Sequence, residues 1–187
     1  MKNKVVNVCI SCECVDNIFK IKYNYIVNTS LICEKSCSVF GHSKIEIIEN
    51  LKERLTLTFE NLIAKENVRY FYFGGFGEFD DFCWQVITKL RDKYLDIKRI
   101  FCLSDPRHLR LSKRPKWINN ENYEEITYLD LNFDWWYQRI YFRNCEMINR
   151  SDFVIFYVNH AERSGAYKAL QYATKKKKQI INACDTT

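Results

Sequence analysis

The chain has 187 residues, of which 47% are hydrophobic and 16% aromatic, with a net charge of +6. That length suits one domain with a sizeable core, and that composition excludes a disordered chain. No apolar run approaches a membrane span and MKNKVV carries no signal-peptide core, so a cytoplasmic protein is expected.

Residues 1–35 differ from the rest. Val5 to Val15 is β-prone, Asp16-Asn17 is a turn signal, and Phe19, Ile21, Tyr23 and Tyr25 alternate with polar residues. This predicts a β-rich N-terminal extension, a hairpin added at a sheet edge. The nine cysteines are scattered, and Cys9, Cys12 and Cys14 form the tightest group. No CxxC pair recurs, so the expectation is reduced, mostly buried thiols and no metal.

From Ser36 onward short apolar strands alternate with helices. CSVF leads to Gly41-His42-Ser43, and a helix is predicted from about Lys44 to Ala64. The stretch Val68 to Trp84, VRYFYFGGFGEFDDFCW, holds a strand, a turn at Gly74, Gly75 and Gly77, and a helix N-terminus that Asp80 or Asp81 suits as cap. Strand, glycine turn and helix is how an α/β sheet builds a ligand crevice, and equally an ordinary βα turn.

A third strand, Ile97 to Leu103, runs into a loop over residues 105–121 with two prolines and five basic residues, predicted to be mobile. Ile126 to Leu129 is a short strand, and Trp135 to Asn149 a helix. Phe153 to Val158 is a fully apolar strand. After Arg163-Ser164-Gly165-Ala166 a helix runs to Lys175, and Gln179 to Ala183 closes the chain. Near-continuous apolar strands between helices predict an α/β fold: a Rossmann-like parallel sheet with helices on both faces, occupying residues 36–187.

The two glycine turns differ in charge. Glu78, Asp80 and Asp81 follow the first, which suits ribose hydroxyls better than phosphate. The second offers Arg163, Ser164, the N–H groups at Gly165 and Ala166, and Lys168, with no acid after the turn. It is the better phosphate cradle. Arg143 can fork onto a phosphate or carboxylate or serve as a surface arginine, and His42, in the loop after a strand, suits a ligand contact better than acid–base catalysis. The lysines at 175–178 end a helix, where cations suit the macrodipole, so nucleic acid is not expected as a partner.

In order and spacing, CSVFGHS, YFGGFGEFD, RNCEMINRSDFVIFYV and RSGAYKALQYATKKKKQIIN resemble the SLOG superfamily. This Rossmann-like group includes the Lonely Guy phosphoribohydrolases and the DNA-processing protein A fold. The resemblance spans about Ser36 to Ala183. It implies a crevice for a nucleotide or nucleotide-derived molecule, cyclic ADP-ribose-type signals among them, at Gly41, His42, Ser43, Gly74, Gly75, Gly77, Glu78, Asp80, Arg143, Arg163, Ser164, Gly165 and Ala166.

In the hydrolytic branch an arginine, here Arg143, works with a glutamate whose position is Ala169 in this chain; deoxyribosyltransferases also carry a glutamate there. The expected function is therefore sensing or sequestering a nucleotide without efficient hydrolysis. The alternative is an N-glycosidase, phosphoribohydrolase or deoxyribosyltransferase-like enzyme using Glu78 or Asp80. No cofactor and no membrane are expected, and a homo-oligomer is.

Overall fold

The structure, a computed structural model, describes residues 14–15, 18–19, 33–45, 50–128, 135–159 and 163–184. The chain divides into two units, Met1–Cys33 and Glu34–Thr187. In the first, β1 (Cys14–Val15) pairs antiparallel with β2 (Ile18–Phe19), Cys14 opposite Phe19 and Val15 opposite Ile18. That is the pairing a turn at Asp16-Asn17 predicts. Among the described residues this pair is a two-stranded sheet of its own. The remainder of the predicted hairpin, and its addition to a sheet edge, lie outside the described residues.

The second unit contains β3 (Lys35–Gly41), α1 (Leu51–Glu66), β4 (Val68–Phe73), α2 (Glu78–Leu90), β5 (Lys98–Leu103), β6 (Glu125–Tyr128), α3 (Trp136–Arg150), β7 (Phe153–Tyr157), α4 (Gly165–Lys175) and β8 (Gln179–Asn182). The sheet order is β6-β5-β4-β3-β7-β8, with every neighbouring pair parallel. This is a Rossmann-like α/β fold. The chain builds outward from β3 to β6, then returns to lay β7 on the other side of β3. The switch point therefore lies between β3 and β7, where such sheets open a crevice at their carboxyl ends. Gly41 stands opposite Tyr157 there.

Strand alternation explains the two layers. Cys37, Val39, Phe71, Phe73, Phe153 and Ile155 face one core with Leu55, Phe59, Phe79 and Ile87 from α1 and α2. Phe40, Val154, Phe156 and Val158 face the other with Met147, Ile148, Ala169 and Ala173 from α3 and α4. The strands are apolar on both sides because both sides are covered.

Three local expectations change. The helix predicted from about Lys44 is seen from Leu51, with Lys44 and Ile45 outside it and Asn50 before it at a left-handed φ of 73°; residues 46–49 lie outside the described residues. The cap of α2 is Gly77, not Asp80 or Asp81. And the basic loop is held by two short 3-10 turns, Pro106–Leu109 and Leu111–Lys113. Asp105 caps the first by accepting the Arg107 N–H at 2.9 Å. Ile118 and Tyr123, at 4% and 5% exposure, anchor the loop's end in the core.

Candidate functional site

A cleft of about 260 Å³ opens at the switch point. Gly41, His42 and Ser43 enter it from the end of β3, and Gly74, Gly77 and Asp80 from the β4–α2 turn. Arg143 comes from α3, and Ser164, Gly165 and Ala166 from the start of α4. Four segments distant in sequence thus meet because parallel strands end on one side. Gly75, Glu78 and Arg163 are not among the residues lining the cleft. Phe76, Ile140 and Asn144 line it as well.

The acidic turn is braced from within. Asp80 is 5% exposed, and its carboxylate accepts the Gly75 N–H at 2.5 Å and the Gly74 N–H at 3.4 Å. Burial pushes the Asp80 carboxyl up to about 7, with those N–H groups and the Arg143 charge acting in the opposite direction. Glu78 turns the other way and accepts the Ile45 N–H at 2.9 Å. Both carboxylates expected beside a ribose therefore fasten backbone.

Arg143 is 2% exposed. It donates through Nη1 to the carbonyls of Gly74 at 2.7 Å and Cys102 at 3.3 Å. Nε and Nη2 donate to Asn144 Oδ1 at 3.1 and 2.9 Å. The Phe76 ring lies 5.2 Å from the guanidinium. Burial lowers the Arg143 pKa, and the Asp80 charge opposes that shift. So Arg143 ties α3 to the ends of β4 and β5 at the cleft wall, and it is not the surface arginine that its sequence context also allowed.

His42 is equally committed. Its backbone N–H donates to the Tyr157 carbonyl at 3.2 Å, and its Nε2 accepts the Asn159 N–H at 2.9 Å. An imidazole accepting at Nε2 carries its proton on Nδ1. His42 thus links the loops after β3 and β7 across the switch point.

Among five glycines, four are required by the chain's own packing or backbone. A Cβ on Gly41 would lie 2.4 Å from Phe79, and one on Gly74 2.6 Å from Arg143 Nη2. Gly75 and Gly77 have φ of 68° and 97°, and a Cβ at Gly77 would sit 2.8 Å from the Ser43 backbone. Gly165 is different. It has no positive φ, and among the described residues nothing beyond its own chain neighbours and helix backbone lies within 4 Å of where its Cβ would be. Ser164 caps α4 beside it, its Oγ accepting the Tyr167 N–H at 3.1 Å. Arg163 is exposed.

Past Gly165 lies a larger groove of about 720 Å³ between α3 and α4. Sequence reasoning did not find it, although the aromatic start of α3, WWYQRIY, was its signal. Ala169, the position at which the sequence resemblance led us to look for a glutamate, is 2% exposed and lines this groove, not the cleft. Among the described residues no group of His, Cys, Asp and Glu can hold a metal ion. Cys37, Cys83, Cys102 and Cys145 are buried, and burial pushes the thiols of Cys37, Cys83 and Cys102 far up, Cys102 to about 12. Such thiols are inert at neutral pH; Cys9 and Cys12 lie outside the described residues. No helix among the described residues is long and apolar enough to cross a membrane.

No protein-family model matches the sequence, and comparison with curated proteins finds no match. Among solved structures the chain is similar to DNA processing protein A from Helicobacter pylori, a protein described with a unique single-stranded DNA binding mode. The two superpose with a TM-score of 0.53 at 18% identity over 82% of this chain and 67% of that one. The likeness shows a Rossmann-like fold. It does not reach the SLOG superfamily specifically.

Proposed function

We propose that the cleft binds the phosphate and sugar of a nucleotide or nucleotide-derived molecule and retains it without efficient cleavage. The observation that carries this reading is Gly165. Neither its backbone angles nor its neighbours among the described residues require glycine, and a helix start without need of glycine favours other residues. A close ligand supplies the missing reason, since only glycine lets one approach the backbone there. An anion at this point would meet the first-turn N–H groups of α4, the Ser164 hydroxyl and the nearby Arg163. The sugar would lie towards Asp80. For cleavage, an acid is wanted at the glycosidic carbon. Ala169 supplies none, and Glu78 and Asp80 are engaged with backbone.

Calorimetry of the purified chain with AMP tests the binding, and chromatography for released base tests the chemistry. Arg163→Ala should weaken AMP about tenfold, the value of one charged hydrogen bond. Undiminished affinity in that variant removes the phosphate position, and base release at ordinary enzyme turnover removes the non-cleaving reading. Arg143→Ala is a poor reporter, because it also unseats two carbonyls inside the fold.

A second reading has one observation in its favour. Trp135, Trp136 and Tyr137 are 61%, 66% and 55% exposed at the start of α3, and exposed rings are stacking platforms for single-stranded nucleic acid. The DNA binding described for the Helicobacter pylori protein points the same way. Nucleic acid is accordingly kept as a competing partner despite the sequence expectation.

A further inference from the structure

The cleft and the α3–α4 groove share Ile140, Asn144 and Gly165 in their walls, so the two adjoin at the start of α4. A side chain on residue 165 would stand at this junction, and glycine leaves it open. Beyond the junction the groove is lined by the rings of Trp136, Tyr137, Tyr141 and Tyr172 and by the cations Lys168 and Lys175. Among its described lining residues there is no carboxylate. At about 720 Å³ it is far larger than the cleft, at about 260 Å³.

From this adjacency we infer that the ligand is not a mononucleotide but a pyrophosphate-linked dinucleotide. One nucleoside occupies the cleft, the phosphates pass Gly165 and Lys168, and the second base stacks among the aromatic rings of the groove. This rests on the nucleotide reading of the cleft and deepens it. The charge pattern decides against an uncharged or cationic occupant, because the described lining of the groove offers Lys168 and Lys175 without acids. Four rings around a groove suit a flat second base, which stacking holds whatever its identity. The helical spacing is regular: Lys168, Tyr172 and Lys175 succeed one another at one-turn intervals on α4, and Tyr137 and Tyr141 do so on α3.

The test is calorimetry on the full chain with three probes: AMP, diadenosine diphosphate and a ten-residue oligothymidylate. The dinucleotide should bind about tenfold to a hundredfold more tightly than AMP, the range that stacking one base supplies. In Trp136→Ala, an exposed position whose loss leaves the core intact, that advantage should fall to about threefold or less, and Lys168→Ala should erode it too. Equal affinities for AMP and the dinucleotide overturn the inference and leave the cleft reading standing. If neither nucleotide binds, the cleft reading itself fails. If the oligothymidylate binds more tightly than the dinucleotide, and does so through Trp136, the groove belongs to single-stranded nucleic acid and the inference is overturned.

Discussion

Asp80 shows how a residue chosen from sequence for one task is put to another by its surroundings. It holds the glycine turn by accepting two N–H groups, at the cost of burying a carboxyl whose pKa rises from 3.8 to about 7. A folded pKa above the unfolded one means that the folded state keeps a proton which the unfolded chain has released. The stabilisation associated with Asp80 is therefore complete below about pH 4 and is lost as pH rises through about 7. Urea midpoints of the wild type minus those of Asp80→Asn should fall between pH 4 and pH 7 and level off above it. A difference that does not change with pH would show that the carboxyl titrates normally.

Arg99 makes the same point away from the cleft. It is 3% exposed, forks onto Glu124 at 2.7 and 3.2 Å, and bonds Thr88 at 2.8 Å. Its sequence context, a lone arginine in a strand, gave no hint of that network.

At the scale of elements, the two glycine turns are built on opposite principles. The β4–α2 turn is closed: its glycines fit against Arg143, Phe101, Trp117 and the Ser43 backbone. The start of α4 is open. Alanine substitution should separate them. Gly77→Ala forces a residue into φ 97° and into contact with Ser43, and should cost about 1–3 kcal/mol from the backbone alone. Gly165→Ala meets no atom of another described segment and enters a helix, so it should raise the stability of the unliganded protein by about 0.4–1 kcal/mol. Thermal melts of the two variants provide the comparison, and a destabilised Gly165→Ala would mean that glycine is needed there by the fold and not by a ligand. The lysines after α4 have similarly divided tasks. Lys178 donates to the carbonyls of Asn149 and Ser151 at the end of α3, Lys176 lies 5.5 Å over the Tyr172 ring, and Lys175 lines the groove.

At the scale of the whole molecule, the unit Glu34–Thr187 contains the six-stranded sheet and both core clusters. Domains with their own core fold independently. A chain of residues 34–187 should therefore unfold in one cooperative transition, with a Tm within about 3 °C of the full chain, a shift that corresponds to about 1 kcal/mol. Loss of the cooperative transition would mean that the N-terminal unit completes the core.

The sequence by itself determined the parallel α/β architecture. Apolar alternation and helical spacing are local signals, and each strand from β3 to β8 was legible to within about two residues, as was each helix except the start of α1 and the end of α2, expected near Tyr94 and found at Leu90. It also marked the segments that line the cleft, because glycine and small polar residues gather at strand ends for local reasons. The left-handed Asn50 that precedes α1 was missed, since nothing in its neighbours requires that angle. Only the tertiary structure decided what those residues do. Whether Asp80 faces a ligand or the Gly75 N–H, whether Arg143 is buried, and whether Ala169 faces the cleft or the groove all depend on contacts between segments far apart in the chain. Sheet register sets such contacts, and a single strand's pattern does not encode its neighbour. The groove between α3 and α4 was hidden for the same reason: each helix shows its own aromatic residues, but the space between them exists only once both are laid on the sheet.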